Sequence, residues 1–98
     1  MNQPVELDIQ GLVWTIESRN YVRRHGGSVR VCREVFGLAP LYFPQSGRTA
    51  THKMIGPDLS GRMWTVPIKY RGNNNIARPV NAWPSNAREA RIHREAQE

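Results

Sequence analysis

Ninety-eight residues suffice for one domain with a modest core, and 39% hydrophobic with 22% charged residues is the make-up of a soluble globular chain. No apolar run approaches the ~20 residues that cross a bilayer, and the single cysteine, Cys32, excludes an internal disulfide. The net charge is +6 and 12 of the 14 basic residues are arginine, which points to an anionic partner, a nucleic acid or an acidic protein.

Charge is unevenly spread. Residues 1–17 hold three acids and no base, so the rest of the chain carries 14 bases against five acids. No basic region followed by an apolar core opens the chain, so no secretory leader is expected; with one cysteine, a reducing cytoplasm is the expected location. The reading is a single domain over 1–98, with 1–10 as an irregular arm and 11–97 as the core.

In chain order, the apolar residues from Val5 to Trp14 suggest a short strand ending near Trp14. Thr15 is placed to cap a helix beginning at Ile16, with Arg19, Arg23 and Arg24 outward and Val22 inward. His25-Gly26-Gly27 stops that helix, His25 suiting the negative end of its dipole. Ser28 caps a second helix, Val29 to Phe36, whose Val29, Cys32 and Phe36 share one stripe. Two short helices about a glycine turn are also the outline of a helix-turn-helix reader, but strands fill most of the remaining chain.

Leu41-Tyr42-Phe43 between two prolines predicts a short peripheral strand, and Thr49 to Ile55 alternates as a second. Met63 to Tyr70 puts Trp64, Val66, Ile68 and Tyr70 on one face. Residues 71–75 read as a hairpin loop, and Ile76 to Trp83 as the returning strand, with Ile76, Arg78, Val80 and Ala82 on one face and Trp83 on the other. Asn86 and Glu89 have capping-box spacing at the head of a terminal helix, which carries the opposed i,i+4 pairs Arg91–Glu95 and Arg94–Glu98. Consecutive strands joined by short turns predict an α+β fold: a small antiparallel sheet with two short N-terminal helices and a C-terminal helix, all packed on one side.

Several residues in this order resemble the BrnT-type toxins, a compact branch of the RelE-like endoribonuclease toxins of bacterial toxin–antitoxin pairs. They are the tryptophan-ended strand, His25-Gly26, Val35-Phe36, Pro40, Ile55-Gly56, Gly61-Arg62, Arg78 on the last strand and Arg88-Glu89 opening the terminal helix. The resemblance spans about residues 12–95. It implies a RelE-like fold, metal-independent RNA cleavage by 2′-hydroxyl attack, no cofactor, and a small antitoxin as protein partner. The chain departs from the family at Thr15-Ile16-Glu17-Ser18 after the tryptophan and at Asn81-Ala82-Trp83 ending the last strand, and His93 stands at the family's terminal-helix tyrosine.

Such cleavage needs a base, an acid and cations around the phosphate. The candidate catalytic residues are Arg78, which matches the family arginine, with Lys53 and His52, although strand alternation sets His52 and Lys53 on opposite faces. Candidate RNA-binding residues are Arg19, Arg23, Arg24, Arg48, Arg71, Trp83, Arg88 and Arg91. His93 reads first as a solvated residue of an arginine-rich helix, Trp14 and Trp64 as core, and Trp83 as either a stacking surface or packing beneath the terminal helix. The histidines and cysteine show no zinc spacing. The alternative function is non-catalytic: a small basic protein that binds nucleic acid or an acidic protein.

Overall fold

The structure is a computed structural model that describes residues 3–24, 26–47, 49–72 and 74–97. The readings that concern His25, Arg48, Asn73 and the Arg94–Glu98 pair fall outside the described residues. The elements are β1 (Gly11–Leu12), α1 (Ile16–Arg23), α2 (Val29–Gly37), β2 (Leu41–Pro44), β3 (His52–Pro57), β4 (Met63–Lys69), β5 (Ile76–Pro79), β6 (Trp83–Pro84) and α3 (Ala87–Ala96). The fold is α+β. Its six strands form one sheet in the order β1-β5-β4-β3-β2, with β6 also on β4. The sheet is mixed rather than wholly antiparallel, because β1 runs parallel to β5.

Local chemistry sets the helix ends. Thr15 caps α1 by accepting from the Ser18 N–H at 3.0 Å, while the Thr15 N–H donates to Ser18 Oγ at 2.8 Å. Ser28 caps α2 through the Val31 N–H at 3.1 Å. Asn86 and Glu89 make the reciprocal pair at the head of α3 (2.8 and 2.9 Å). Of the two opposed pairs expected on α3, Arg91–Glu95 is not an ion pair; the ion pair among the described residues is Arg30–Glu34, on α2.

Helices cover both faces of the sheet, which corrects the one-sided arrangement expected from strand order. Met54, Trp64, Val66 and Ile68 point to one face and pack with Val22 of α1 and Val31, Cys32 and Val35 of α2. Ile55 and Phe43 point to the other and pack with Ile92 of α3. The strand register explains this, since Met54 lies opposite Val66 and Ile55 opposite Thr65, so adjacent residues feed separate clusters. Ile55 is fully buried, a placement that contributes about 1.5–3 kcal/mol for such a side chain. Cys32 is core, as expected, and burial pushes its thiol up to about 12.

The N-terminal arm is irregular, yet it ties the sheet together. The Val5 N–H donates to Tyr42 O on β2 at 2.8 Å, the Tyr70 hydroxyl to Asp8 O at 3.2 Å, and the Val13 N–H to Ala77 O on β5 at 2.9 Å. The N-terminal segment therefore crosses the sheet from β2 at one edge to β5, beside the other edge.

The returning strand is broken by a bulge. Ile68 pairs with Pro79 and Lys69 with Arg78, but Thr65 pairs with Trp83 and Trp64 with Pro84. Residues 80–82 thus stand against residues 66–67, one residue in excess. The bulge reverses the alternation beyond it. Ala82 turns into the core beside Ala77, and Trp83 comes to the same face as Arg78, where period-two reading had set them apart. Gly27, between α1 and α2, closes over this point: a Cβ there would lie 2.9 Å from Ala82 Cβ and 2.5 Å from Val22 O.

Candidate functional site

The face that carries α3 is only partly covered by it. Toward β5 it opens into a cleft of about 780 Å³. Pro67, Lys69, Arg78, Val80 and Trp83 line it from the sheet; the first turn of α1 and Tyr21 line one wall, and Gln45, Thr49 and Ala50 close the other end.

Lys69 and Arg78 are directly opposed cross-strand neighbours, both half-buried. Side chains so placed have Cβ atoms about 5 Å apart. Among the described residues neither cation makes an ion pair. Glu17, in the first turn of α1, is the one carboxylate among the described lining residues. Thr15 and Ser18 use their hydroxyls in the α1 cap, whereas no hydrogen bond or ion pair involves the Glu17 side chain among the described residues. Trp83 is oriented by α3: its indole N–H lies 3.1 Å from both carboxylate oxygens of Glu89. Trp83 is thus bonded to the terminal helix, and it is also among the residues that line the cleft.

The expected catalytic trio is not assembled. Arg78 is in the cleft. Lys53 shares its face but stands on β3 opposite Pro67, outside the cleft lining. His52 is on the opposite face, opposite Ile68, with its ring edge-on to Tyr70 at 6.3 Å and its Nδ1 2.8 Å from Thr51 Oγ1. Burial lowers the His52 pKa, and its contacts are those of a residue closing the β3–β4 ladder. Regular alternation with no bulge in β3 is what separates it from Lys53 and Arg78.

Those of the expected RNA-binding arginines that lie within the described residues are exposed. Arg19, Arg23 and Arg24 lie along α1, Arg71 in the β4–β5 loop, and Arg88 and Arg91 on α3. The Arg24 guanidinium sits 4.2 Å over the Tyr21 ring, at the margin of the cleft. His93 is not solvated: it is 7% exposed on the inner face of α3, its Nε2 has no hydrogen-bond partner, and burial lowers its pKa. Trp64 is core as expected, with its N–H given to Asp58 at 2.8 Å, and Trp14 is half-buried against the same cluster.

Sequence reasoning missed Lys69, Glu17 and Tyr21. Lys69 carried one usable signal, its place on the polar face of the Met63–Tyr70 alternation; Glu17 and Tyr21 carried none. Among the described residues no group of three or more His, Cys, Asp or Glu is placed to hold a metal ion, and no helix is long and apolar enough to cross a membrane.

Fold and site define a small basic α+β domain with a cationic cleft beside a half-covered sheet. In comparisons with known proteins, no family model, curated protein or solved structure matches the chain.

Proposed function

We propose that the protein binds RNA, with the cleft as its principal site and the exposed arginines as flanking phosphate contacts. The observation that carries this reading is the Lys69–Arg78 pair. Like charges directly opposite one another destabilise a ladder, and among the described residues no carboxylate forms an ion pair with either. An anion between them removes the repulsion. The arginine bias suits an oxyanion partner, since a planar guanidinium meets phosphate oxygens, like those of a carboxylate, with two parallel hydrogen bonds.

The test is fluorescence anisotropy of a labelled single-stranded RNA across a salt series. The wild-type affinity should fall linearly in log–log form, and Arg78→Ala should weaken binding and flatten the slope by roughly 0.7. Salt-independent binding, or an Arg78→Ala curve that overlays the wild type, would overturn the proposal.

Cleavage is the second reading, in keeping with the toxins the sequence resembles, and Glu17 favours it. With His52 on the far face, Glu17 is the carboxylate in the cleft able to accept the ribose 2′-hydroxyl proton. The 2′-oxygen bonds to phosphorus as the P–O5′ bond breaks, and the 5′-oxygen takes a proton from water. Lys69 and Arg78 stabilise the charge developing on the phosphate oxygens. RNA fragments ending in 2′,3′-cyclic phosphate, lost in Glu17→Gln, would support it. Intact RNA under saturating protein would remove cleavage and leave binding.

A further inference from the structure

We infer that the cleft is a subsite for a single ribonucleotide, in which Lys69 and Arg78 take the phosphate and Glu17 takes the ribose hydroxyls. The inference rests on the RNA-binding reading and gives it a substrate unit. A volume of about 780 Å³ falls in the range of sites that enclose one small ligand.

Its charged groups are few and of two kinds. The paired cations lie side by side on the sheet, where one phosphate group reaches both. The lone carboxylate comes from a different element, the first turn of α1. An ionised carboxylate only accepts hydrogen bonds. Beside a bound phosphate it repels, so its presence in an otherwise cationic cleft calls for a ligand with donors a few ångströms from its anion. Vicinal ribose hydroxyls meet that requirement, and an acidic side chain on the ribose is an established way of reading it. Deoxyribose lacks the 2′ donor, so the same contact separates RNA from DNA.

The remaining lining is mixed. Ile16, 82% exposed, together with Val80 and Pro67, offers an apolar wall for a base, while Gln45, Thr49 and Asn81 supply uncharged polar groups. The hydroxyls of Thr15 and Ser18 do not compete for the ligand, because the helix cap already uses them.

The experiment is a chemical-shift titration of the isotopically labelled full chain with adenosine 5′-monophosphate, its 2′-deoxy analogue and adenosine. Wild type, Glu17→Ala and Arg78→Ala are compared, each first shown by a cooperative thermal melt to be folded. In the wild type the ribonucleotide should bind about tenfold tighter than the deoxynucleotide, as for a hydrogen bond to a charged group. Adenosine, without phosphate, should be weakest. Glu17→Ala should bring the ribo-to-deoxy ratio to about one, while Arg78→Ala should weaken both nucleotides and keep the ratio.

Equal binding of the two nucleotides by the wild type, or a ratio that survives Glu17→Ala, would overturn the inference. RNA binding in the anisotropy assay with no nucleotide-induced shifts would overturn the subsite and leave RNA binding in place. Ribose-selective nucleotide binding without RNA binding would do the reverse.

Discussion

Replacing Lys69 by glutamate should make the protein more stable and remove its RNA affinity. Lys69 faces Arg78 across the β4–β5 ladder, on the same face and in the same cleft. A directly opposed like-charge pair costs, and an opposite-charge pair contributes, roughly 0.2–1 kcal/mol. Both side chains are only half-buried, so water screens the interaction and the swing is about 1 kcal/mol rather than the sum of the upper limits. For a domain of this size that raises Tm by about 4–8 °C. Lys69→Ala, which removes the repulsion without adding attraction, should show about half the gain. Circular dichroism melts at 50 mM and 1 M salt measure it, and the gain should shrink at the higher salt, where the screening length is ~3 Å. In the anisotropy assay Lys69→Glu should lose both cations for phosphate, since Arg78 is then paired. A lower or unchanged Tm at low salt would mean that the two charges do not oppose one another. A higher Tm with unchanged RNA affinity would mean that they oppose one another but do not form the anion site.

Two further outcomes test the architecture. Gly27→Ala should destabilise the fold by about 1–3 kcal/mol, because the added methyl lies 2.5 Å from the Val22 carbonyl oxygen and 2.9 Å from Ala82; urea unfolding should show a lower midpoint. If the midpoint holds, α1 and the bulge are not in this contact. Acid should loosen α3. Burial lowers the His93 pKa from its usual 6.5, so the folded state binds fewer protons than the unfolded one; stability is full above pH 6.5 and is lost as pH falls through the folded value. Melts from pH 8 to 5 should show that fall, reduced in His93→Gln. His52, lowered in the same direction, contributes likewise, so the comparison is made in a His52→Gln background. A profile unaltered by His93→Gln would refute a buried His93.

The chain's local signals were sufficient for its segments. Thr15, Ser28 and Asn86–Glu89 start the three helices where their side chains predict, because a cap involves residues only two or three apart. The hairpin loop was equally legible: Gly72 and Asn75 take the positive φ angles that their residue types tolerate. That Trp64, Val66 and Ile68 share one core-facing side followed from alternation alone, whereas the burial of Thr65 and Pro67 on the other side did not. The cleft was legible only in part, through Arg78, Trp83 and the outward arginines of α1. What the sequence could not state is which strand lies beside which and in what register. The parallel β1–β5 pair, the division of helices between two faces and the burial of His93 all depend on partners distant in the chain. The bulge at 80–82 is the sharpest case. One extra residue leaves no mark in composition, yet it reverses the facing of every residue after it. Opposite Val66 and Pro67 of β4, it brings Trp83 to the face of Arg78, while the register just before it sets Lys69 against Arg78. The sheet's hydrogen bonds made that choice, because facing is a property of paired strands and not of one strand alone.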